Sequence, residues 1–407
     1  MRKHRSTLGI IFLIVFIDLV GFGIVIPILP LYGERHSSSG LTLGLLMASY
    51  SAMQFVFAPI LGRISDRVGR KPVLLISLAG AAAGYLIFGL ADSMVLLFAA
   101  RMVAGIAGAN IATAQAVIAD ITGPEDRARG MGIMGAAFGL GFILGPALGA
   151  LLVGIAPFMP GVAAAATSTV AFVLTLTRLP ETLAPSARVE ARRHPLNLSS
   201  LRRALAAHPL VAWCFAAILL VIFAFSTFET TFAQLATARF GVDITRVGWL
   251  FVFAGLVGAV VQGGLVGGLA RRFGEARLLV VGTVIAALGV GAVPAASGLG
   301  PLMAALAVLA LGHGLVAPSL SSLTSKLVHP DEVGGVMGVY QSFSSLARIV
   351  GPLWAELAYH RLGHASPCLS ASVVYLLSFG VAAVLMRRTS FGSVLRGAPD
   401  EEIRTAR

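Results

Sequence analysis

The sequence has few charged residues. Charged side chains make up 12% of the 407 residues, whereas a soluble globular protein carries about 25%. So few charges would not cover the surface of a soluble domain, which argues against a soluble enzyme. The hydrophobic share of 57% excludes a disordered chain. Because the apolar runs are continuous rather than alternating, an outer-membrane barrel is also disfavoured.

Cysteines and catalytic motifs are scarce as well. The chain has two cysteines, Cys214 and Cys368, in or beside apolar segments and without a metal-type partner nearby in sequence. Neither a disulfide framework nor a metal site is therefore expected. No G-x-x-x-x-G-K-[ST] loop and no H-E-x-x-H motif occurs, so the sequence predicts neither an ATP-driven motor nor an enzyme, and no cofactor.

What the chain does contain is long apolar segments of about the length that spans a bilayer. They predict an all-α polytopic membrane protein with twelve transmembrane helices. The first segment contains Asp18 and has no small-residue cleavage site, so we interpret it as a retained helix. The predicted segments are Leu8–Pro30, Thr42–Leu61, Pro72–Ala91, Met94–Ile118, Gly130–Gly154, Gly161–Leu179, Leu210–Thr237, Val247–Leu269, Leu278–Ala296, Pro301–Leu327, Gly334–Tyr359 and Cys368–Met386.

The basic residues lie mostly on one side of these segments. If the N-terminus is inside, 24 of the 30 Lys and Arg residues fall in inside loops or tails and four fall outside. The remaining two, Arg101 and Arg348, lie within segments. This distribution follows the positive-inside rule. It predicts a multi-pass protein of the inner (plasma) membrane with both termini in the cytoplasm, and it explains the net charge of +12 without nucleic acid.

An internal repeat divides the chain into two halves. Matching residues recur at an offset of 205 or 206, which equals one set of six segments. We therefore predict a six-helix bundle over residues 1–179, a cytoplasmic linker over 180–208, a second bundle over 209–390 and a cytoplasmic tail over 391–407. The matches pair Pro124 with Pro330, Met131 and Gly132 with Met337 and Gly338, Gly145 and Pro146 with Gly351 and Pro352, and Gly62 and Gly69 with Gly267 and Gly274.

The loop after the second segment reads Gly-Arg-Ile-Ser-Asp-Arg-Val-Gly-Arg-Lys-Pro over residues 62–72. It resembles the G-x-x-x-D-R-x-G-R-K/R signature of the major facilitator superfamily. The resemblance implies two pseudo-symmetric six-helix bundles, with Asp66 near the start of helix 11 and Arg70 paired with Asp120 at the end of helix 4. Asp66 and the basic residues around it can form an ion-pair latch between the helices. Arg271 stands where the first half has Asp66, so only one complete latch is expected. The latch candidates are Gly62, Asp66, Arg67, Gly69, Arg70, Lys71 and Asp120.

The fifth segment is rich in glycine. Gly141, Gly145 and Gly149 share one helix face, where small residues permit close backbone approach, and Pro146 is expected to kink the helix. The Gly-x-x-x-Gly-Pro-x-x-Gly pattern resembles the antiporter signature of drug:proton exchangers. A packing face without a transport role remains the alternative. The motif residues are Gly135, Gly139, Gly141, Gly145, Pro146 and Gly149.

Three charged residues within segments are candidates for proton coupling. Asp18 lies about ten residues, or ~15 Å, into the first segment, where a carboxylate is usually functional. This stretch resembles helix 1 of the tetracycline-efflux group, and Arg101 lies in a motif that resembles the R-x-x-x-G-x-x-G of helix 4. We expect Arg101 to pair with Asp18, although a structural role for this carboxylate is also open. Glu229, among aromatic residues, could relay protons, contact a cationic amphiphile or be structural.

Polar residues within segments are candidates for the substrate cavity, which the resemblance places between the two halves. Arg348 could bind an anionic group or pair with Glu356, and His313 could equally be a packing residue. Ordinary helix-to-helix hydrogen bonds are the alternative for the amides. The cavity candidates are Gln54, Asn110, Gln115, Glu229, Gln262, His313, Gln341 and Arg348.

Together these features predict a proton-coupled secondary active exporter, an antiporter of drugs or other small amphiphilic molecules such as tetracycline, which works by alternating access. Its expected partners are a small-molecule substrate, protons and the lipid bilayer, with the proton gradient as the energy source. A monomer is expected. The alternatives are an exporter of a sugar, amino acid, siderophore or lipid-like metabolite, a non-transporting membrane sensor with the same fold, and a membrane enzyme.

Overall fold

The computed structural model describes residues 2–25, 40–184, 209–242, 244–329 and 332–396. Fourteen α-helices account for most of these residues. In chain order they are α1 (Arg2–Val25), α2 (Gly40–Val68), α3 (Arg70–Gly89), α4 (Met94–Gly108), α5 (Ile111–Ile121), α6 (Arg127–Val153), α7 (Met159–Arg178), α8 (Pro209–Phe240), α9 (Ile244–Val260), α10 (Val266–Phe273), α11 (Glu275–Ala292), α12 (Leu299–Lys326), α13 (Val333–Leu362) and α14 (Ser366–Arg396).

The helices confirm an all-α polytopic membrane protein. Within the described part of the chain, nine spans are long and apolar enough to cross a membrane. One of them, Met94–Ile121, joins α4 to α5, and another, Arg246–Phe273, joins α9 to α10 through a π-helical turn at Val261–Leu265. The helices α2, α6 and α13 are not among the nine, so the number twelve stays a prediction.

The helices form two halves, α1–α7 and α8–α14, with the same internal turn geometry. Gly69, just before α3, has φ 112°, and Gly274, just before α11, has φ 82°. Glycine is the residue that adopts these positive φ angles without strain. Because the two glycines are 205 residues apart, the repeat seen in the sequence is also a repeat in backbone conformation. We call the end of the molecule that carries these two turns the latch end.

The halves meet along two seams. In one seam α2 packs against α13, and in the other α6 packs against α9, the π-helical turn and α10. Within the first half α1 lies against both α6 and α7. The predicted linker is described only to residue 184 and its remaining residues, 185–208, lie outside the described part. At the C-terminus α14 continues to Arg396, past the predicted boundary at residue 390.

Candidate functional site

The latch end is closed by a buried group of charges. Asp66 Oδ1 accepts the backbone N–H of Gly334 at 3.0 Å, and its Oδ2 accepts that of Gly335 at 2.7 Å. Arg70 contacts Asp66 through Nη1 at 2.5 Å and Asp120 through Nε at 3.0 Å. The two central residues, Asp66 and Arg70, are 4% and 0% exposed. Through Asp66 the first half therefore holds the start of α13, which belongs to the second half.

The protonation of Asp66 is finely balanced. Burial raises the pKa of this carboxyl to about 6, while the Arg70 guanidinium and the two glycine N–H groups act in the opposite direction. The carboxyl is therefore mostly ionised at neutral pH and takes up a proton as the pH falls below about 6. The ordinary pKa of an aspartate applies only when the latch end opens and water reaches the carboxyl.

Two residues that sequence reasoning missed complete this latch. Glu181 accepts the backbone N–H of Arg70 through Oε1 at 3.0 Å and that of Lys71 through Oε2 at 3.2 Å. A carboxylate at this position caps the start of α3 and interacts favourably with its dipole. Thr182 donates to Asp120 Oδ2 at 3.0 Å. An acidic residue directly after the sixth apolar segment, on the latch side, was the available signal.

The second half has a latch of its own with the charges reversed. At the repeat offsets, Glu275 corresponds to Arg70 and Lys326 to Asp120. Lys326 Nζ pairs with Glu275 Oε1, and Ser322 donates to the same oxygen at 3.0 Å. The expectation of a single latch is therefore wrong. It depended on an Asp at the position equivalent to Asp66, but an ion pair keeps its geometry when both charges are exchanged.

A weaker pair repeats the contact of the Asp66 position. Arg271, the counterpart of Asp66, lies 3.9 Å from Asp126 at the start of α6, and both side chains are about half exposed. In each half the residue three positions before the turn glycine thus lies near the start of a helix in the opposite half. The exposed pair contributes little to stability, so the two latches differ in strength.

Two contacts join the halves near the pseudo-symmetry axis. Gln115 Nε2 donates to Ser321 Oγ at 3.3 Å, and these residues are 206 positions apart, so each occupies the other's place in the repeat. Arg127 Nη1 donates to Ser325 Oγ at 3.2 Å and its Nε to Thr122 Oγ1 at 2.9 Å. The predicted cavity residue Gln115 therefore lies in a helix-to-helix contact in this arrangement.

The seam between α2 and α13 is tight from the latch end inwards. A methyl group on Gly62 would overlap the backbone oxygen of Gly334, and one on Gly338 would overlap that of Ala58. Farther in, Ser342 donates to the backbone oxygen of Phe55 at 2.7 Å. Glycine is required at these crossings because the two backbones touch.

The inner end of this seam is held by Gln54. Its Nε2 donates to the backbone oxygen of Gly108 at 2.9 Å, and its Oε1 accepts from Ser345 at 2.9 Å and from Arg348 Nη2 at 3.2 Å. Gln54 is 1% exposed, so it joins the halves here rather than facing a cavity. From Gly334 to Arg348 the closed seam extends along α13 for about 21 Å at 1.5 Å per residue.

The glycines of α6 lie on two different surfaces. Gly135 packs against the Gln262 side chain of the π-helical turn, and a methyl group on Gly139 would lie 3.3 Å from the backbone oxygen of Gly255, so both glycines face the second half. Gly141 packs against Leu19 and Gly145 against Gly23, both on α1 of the same half. Gly149 is buried, and the side chain of Pro146 is outside the described residues.

Asp18 is hydrogen-bonded within the first half. Asn110 Nδ2 donates to its Oδ2 at 3.3 Å, and Ser168 Oγ donates to its Oδ1 at 3.2 Å. Asn110 is available because the fourth span is interrupted between α4 and α5. A cavity of about 20 Å³ beside Asp18 and Asn110, lined also by Leu74 and Leu78, is large enough for about one water molecule. Sequence reasoning missed Ser168.

Arg101 is buried, and no acidic residue in the described part of the chain pairs with it. Its guanidinium lies over the Tyr50 ring at 4.6 Å from the centroid, and the side chain is 4% exposed. Among the described residues, neither Nε nor Nη1 has a hydrogen-bond partner. The expected pair with Asp18 is therefore wrong for this arrangement, since the carboxylate is bound by Asn110 and Ser168 instead.

The remaining candidates differ in their surroundings. His313 Nδ1 lies 3.0 Å from Tyr375 Oη, and its ring stacks on Phe225 at 4.3 Å. These contacts, and the burial of Gln341 on α13, are those of packing residues. Glu356 accepts from Gln234 at 3.0 Å. Within the described chain it forms no ion pair with Arg348; the carboxylate whose charge acts on Arg348 is Glu229.

Most of the chain matches known proteins. The Major Facilitator Superfamily model matches residues 11–395. The class C tetracycline resistance protein of Escherichia coli is 36% identical over 88% of this chain and 90% of its own length. Multidrug resistance protein 2 of Bacillus subtilis is 27% identical, covering 97% of this chain and 100% of its own.

A solved structure agrees with these sequence matches. The crystal structure of the human organic anion transporter MFSD10 (TETRAN) superposes with a TM-score of 0.79 at 27% identity, covering 93% of this chain and 99% of that one. The shared fold, the latch and the family match lead to one conclusion. The chain belongs to the Major Facilitator Superfamily and is a membrane transporter, not an enzyme.

Proposed function

We propose that this transporter is a proton-coupled antiporter that exports drugs or other small amphiphilic molecules, such as tetracycline, by alternating access. The names of its relatives, tetracycline and multidrug resistance proteins, support export. The observation that carries proton coupling is the position of α6. This helix touches the helix that carries the partly buried carboxylate of Asp18 on one face and the opposite half on another.

The contacts of α6 give a route from protonation to movement. Gly141 packs against Leu19, the residue next to Asp18, while Gly135 and Gly139 pack against the second half. Because glycines leave no side chain between the packed helices, a shift of α1 displaces α6 relative to α9. Protonation of Asp18 removes its charge and weakens the hydrogen bonds that it accepts from Asn110 and Ser168. The proton would thus bias the position of one half against the other.

The positive-inside distribution orients this mechanism. We infer that the latch end lies in the cytoplasm, together with both termini, in the inner membrane. The closed seam then seals the cytoplasmic side, so the described arrangement is the one from which substrate leaves to the outside. In this state Asp18 would take up the proton that returns the carrier to its cytoplasm-facing state. No partner subunit is needed, and a monomer is proposed.

The test uses Asp18→Asn in proteoliposomes with an imposed pH gradient. We expect the variant to lose gradient-driven tetracycline accumulation while it still exchanges tetracycline without a gradient, because the amide cannot carry the proton. Asp92→Asn is the matched control, since Asp92 is a carboxylate in the loop before α4, away from the latch end, and it should transport normally.

Normal gradient-driven accumulation by Asp18→Asn would refute proton coupling through this residue. Wild-type protein that moves no tetracycline with or without a gradient would refute tetracycline as a substrate. A membrane sensor with this fold predicts no flux of any compound. Expression in a drug-sensitive host, with and without an uncoupler, separates that alternative from export.

A further inference from the structure

Two opposite charges on α8 and α13 are held at a fixed offset. The two helices cross where Thr227 Oγ1 contacts the backbone oxygen of Gly351 at 3.5 Å and where Gly351 packs against Ser226. Both helices start at the latch end, since Cys214 near the start of α8 contacts Thr324 near the end of α12. They therefore run in the same direction through the bundle.

The crossing sets the depths of the two charges. Glu229 is three residues beyond Ser226, which places it about 4.5 Å farther from the latch end. Arg348 is three residues before Gly351, about 4.5 Å nearer to the latch end. Their backbones therefore differ by about 9 Å in depth. Arg348 lies at the inner end of the closed seam, and Glu229 lies above it toward the opposite end.

The charges of Glu229 and Arg348 interact, although the two side chains are not in contact. Arg348 is the charged group that acts on Glu229, and Glu229 is the carboxylate that acts on Arg348. In the described part of the chain they are not within ion-pair distance. The Glu229 side chain is exposed. An exposed carboxylate on a spanning helix is far more stable in a water-filled space than against lipid. Both groups thus face the space between the halves.

Each of the two charges keeps binding capacity. Arg348 uses Nη2 for Gln54, and a guanidinium has further N–H donors that can bind an anion in a bidentate manner. For Glu229 no hydrogen bond is found within the described chain, so its carboxylate oxygens are free to accept from an ammonium group. A ligand with one charge would leave the opposite charge unpaired when water is excluded, which is unfavourable.

We propose that Glu229 and Arg348 form a two-charge site for zwitterionic substrates, with the cationic group at Glu229 and the anionic group at Arg348. This inference rests on the proposed export function and specifies its substrate class. A bound zwitterion compensates both charges at once, so substrate and site are neutral together when the carrier closes around them. The depth difference selects molecules whose charged groups are separated by most of the length of a drug-sized molecule.

The experiment measures binding to the purified full-length protein without any gradient. The probes are norfloxacin, which carries a piperazine ammonium and a carboxylate, its ethyl ester, which keeps only the cation, and N-acetylnorfloxacin, which keeps only the anion. We expect norfloxacin to bind at least about tenfold more tightly than either derivative. Glu229→Gln should remove the preference over the N-acetyl compound, and Arg348→Gln the preference over the ester.

Controls separate recognition from folding. Glu356→Gln changes an exposed carboxylate on the same helix as Arg348 and should leave all three affinities unchanged. Arg348→Lys keeps the charge and should retain part of the preference over the ester. Equal binding of the three probes, no binding of norfloxacin, or an equal loss of all three in Glu229→Gln would overturn the proposal. Because no gradient is used, failed proton coupling with intact charge-selective binding would refute only the proposed coupling.

Discussion

Replacing Asp66 by Asn should loosen the closed latch end. The carboxylate accepts two backbone N–H groups of α13, from Gly334 and Gly335, whereas an amide offers one oxygen. At least one buried glycine N–H then lacks an acceptor, which costs about 1–3 kcal/mol. Arg70 keeps its second carboxylate, Asp120, so the half itself should stay folded. The open population should rise by about 5- to 150-fold.

A buried cysteine reports this opening. Ser342 lies in the seam, hydrogen-bonded to Phe55, so Ser342→Cys should react slowly with a maleimide while the end is closed. The native cysteines, both buried, are first replaced by alanine. Asp126→Asn is the control, because the Asp126 side chain is 57% exposed and that of Asp66 only 5%. If Asp66→Asn is labelled no faster than this control, the carboxylate does not hold the end closed.

Two further predictions concern the same end. The first uses spin labels at Val68 and Phe273, exposed repeat-related positions whose separation is measured by pulsed EPR. Burial raises the pKa of Asp66 to about 6 in the closed state, whereas an exposed Asp titrates near ~3.9. Acidification from pH 7 to 5 adds a proton to the closed state only, so it should favour closure and shorten the mean distance. The effect differs from that of Asp66→Asn because both oxygens of a protonated carboxyl can still accept N–H groups, whereas the amide nitrogen cannot. A pH effect that persists in Asp66→Asn would contradict this assignment. The second prediction concerns the reversed pair, whose two residues both belong to the second half. Lys326→Gln leaves Glu275 without its ammonium and should lower the melting temperature of the purified protein, while the exchange Glu275→Lys with Lys326→Glu should restore at least half of the loss. Equal melting temperatures in the single and double variants would mean that this pair does not stabilise the second half.

Several features of the fold depend on short stretches of chain, and these could be read from the sequence. The apolar segments, the sorting of basic residues and the glycines of the turns are of this kind. Gly69 permits a sharp reversal between α2 and α3, which brings Arg70 within reach of Asp66 four residues earlier. Because that geometry is local, the motif is sufficient to predict which residues approach each other.

Contacts between distant segments could not be read in this way. Asp18 and Arg101 were expected to pair because their helices are neighbours, but the rotation of each helix about its axis decides which side chain faces which. The interruption after Gly108 brings Asn110 to Asp18, and Arg101 lies against Tyr50 instead. Gln54 suited a cavity by its polarity, and only packing shows that its amide is satisfied in a seam.

Composition and repetition alone were enough to establish that this chain lies in a membrane, that its halves are repeats and which face is basic. These conclusions depend on hydrophobicity and on counting, and neither requires knowledge of contacts. The tertiary structure decided which of the buried charges are paired, that the second latch has reversed signs and that the latch end is closed. These features depend on how the two halves are oriented. The alternating states of a carrier differ by only a few kcal/mol in free energy, a difference too small to be predicted from local sequence patterns.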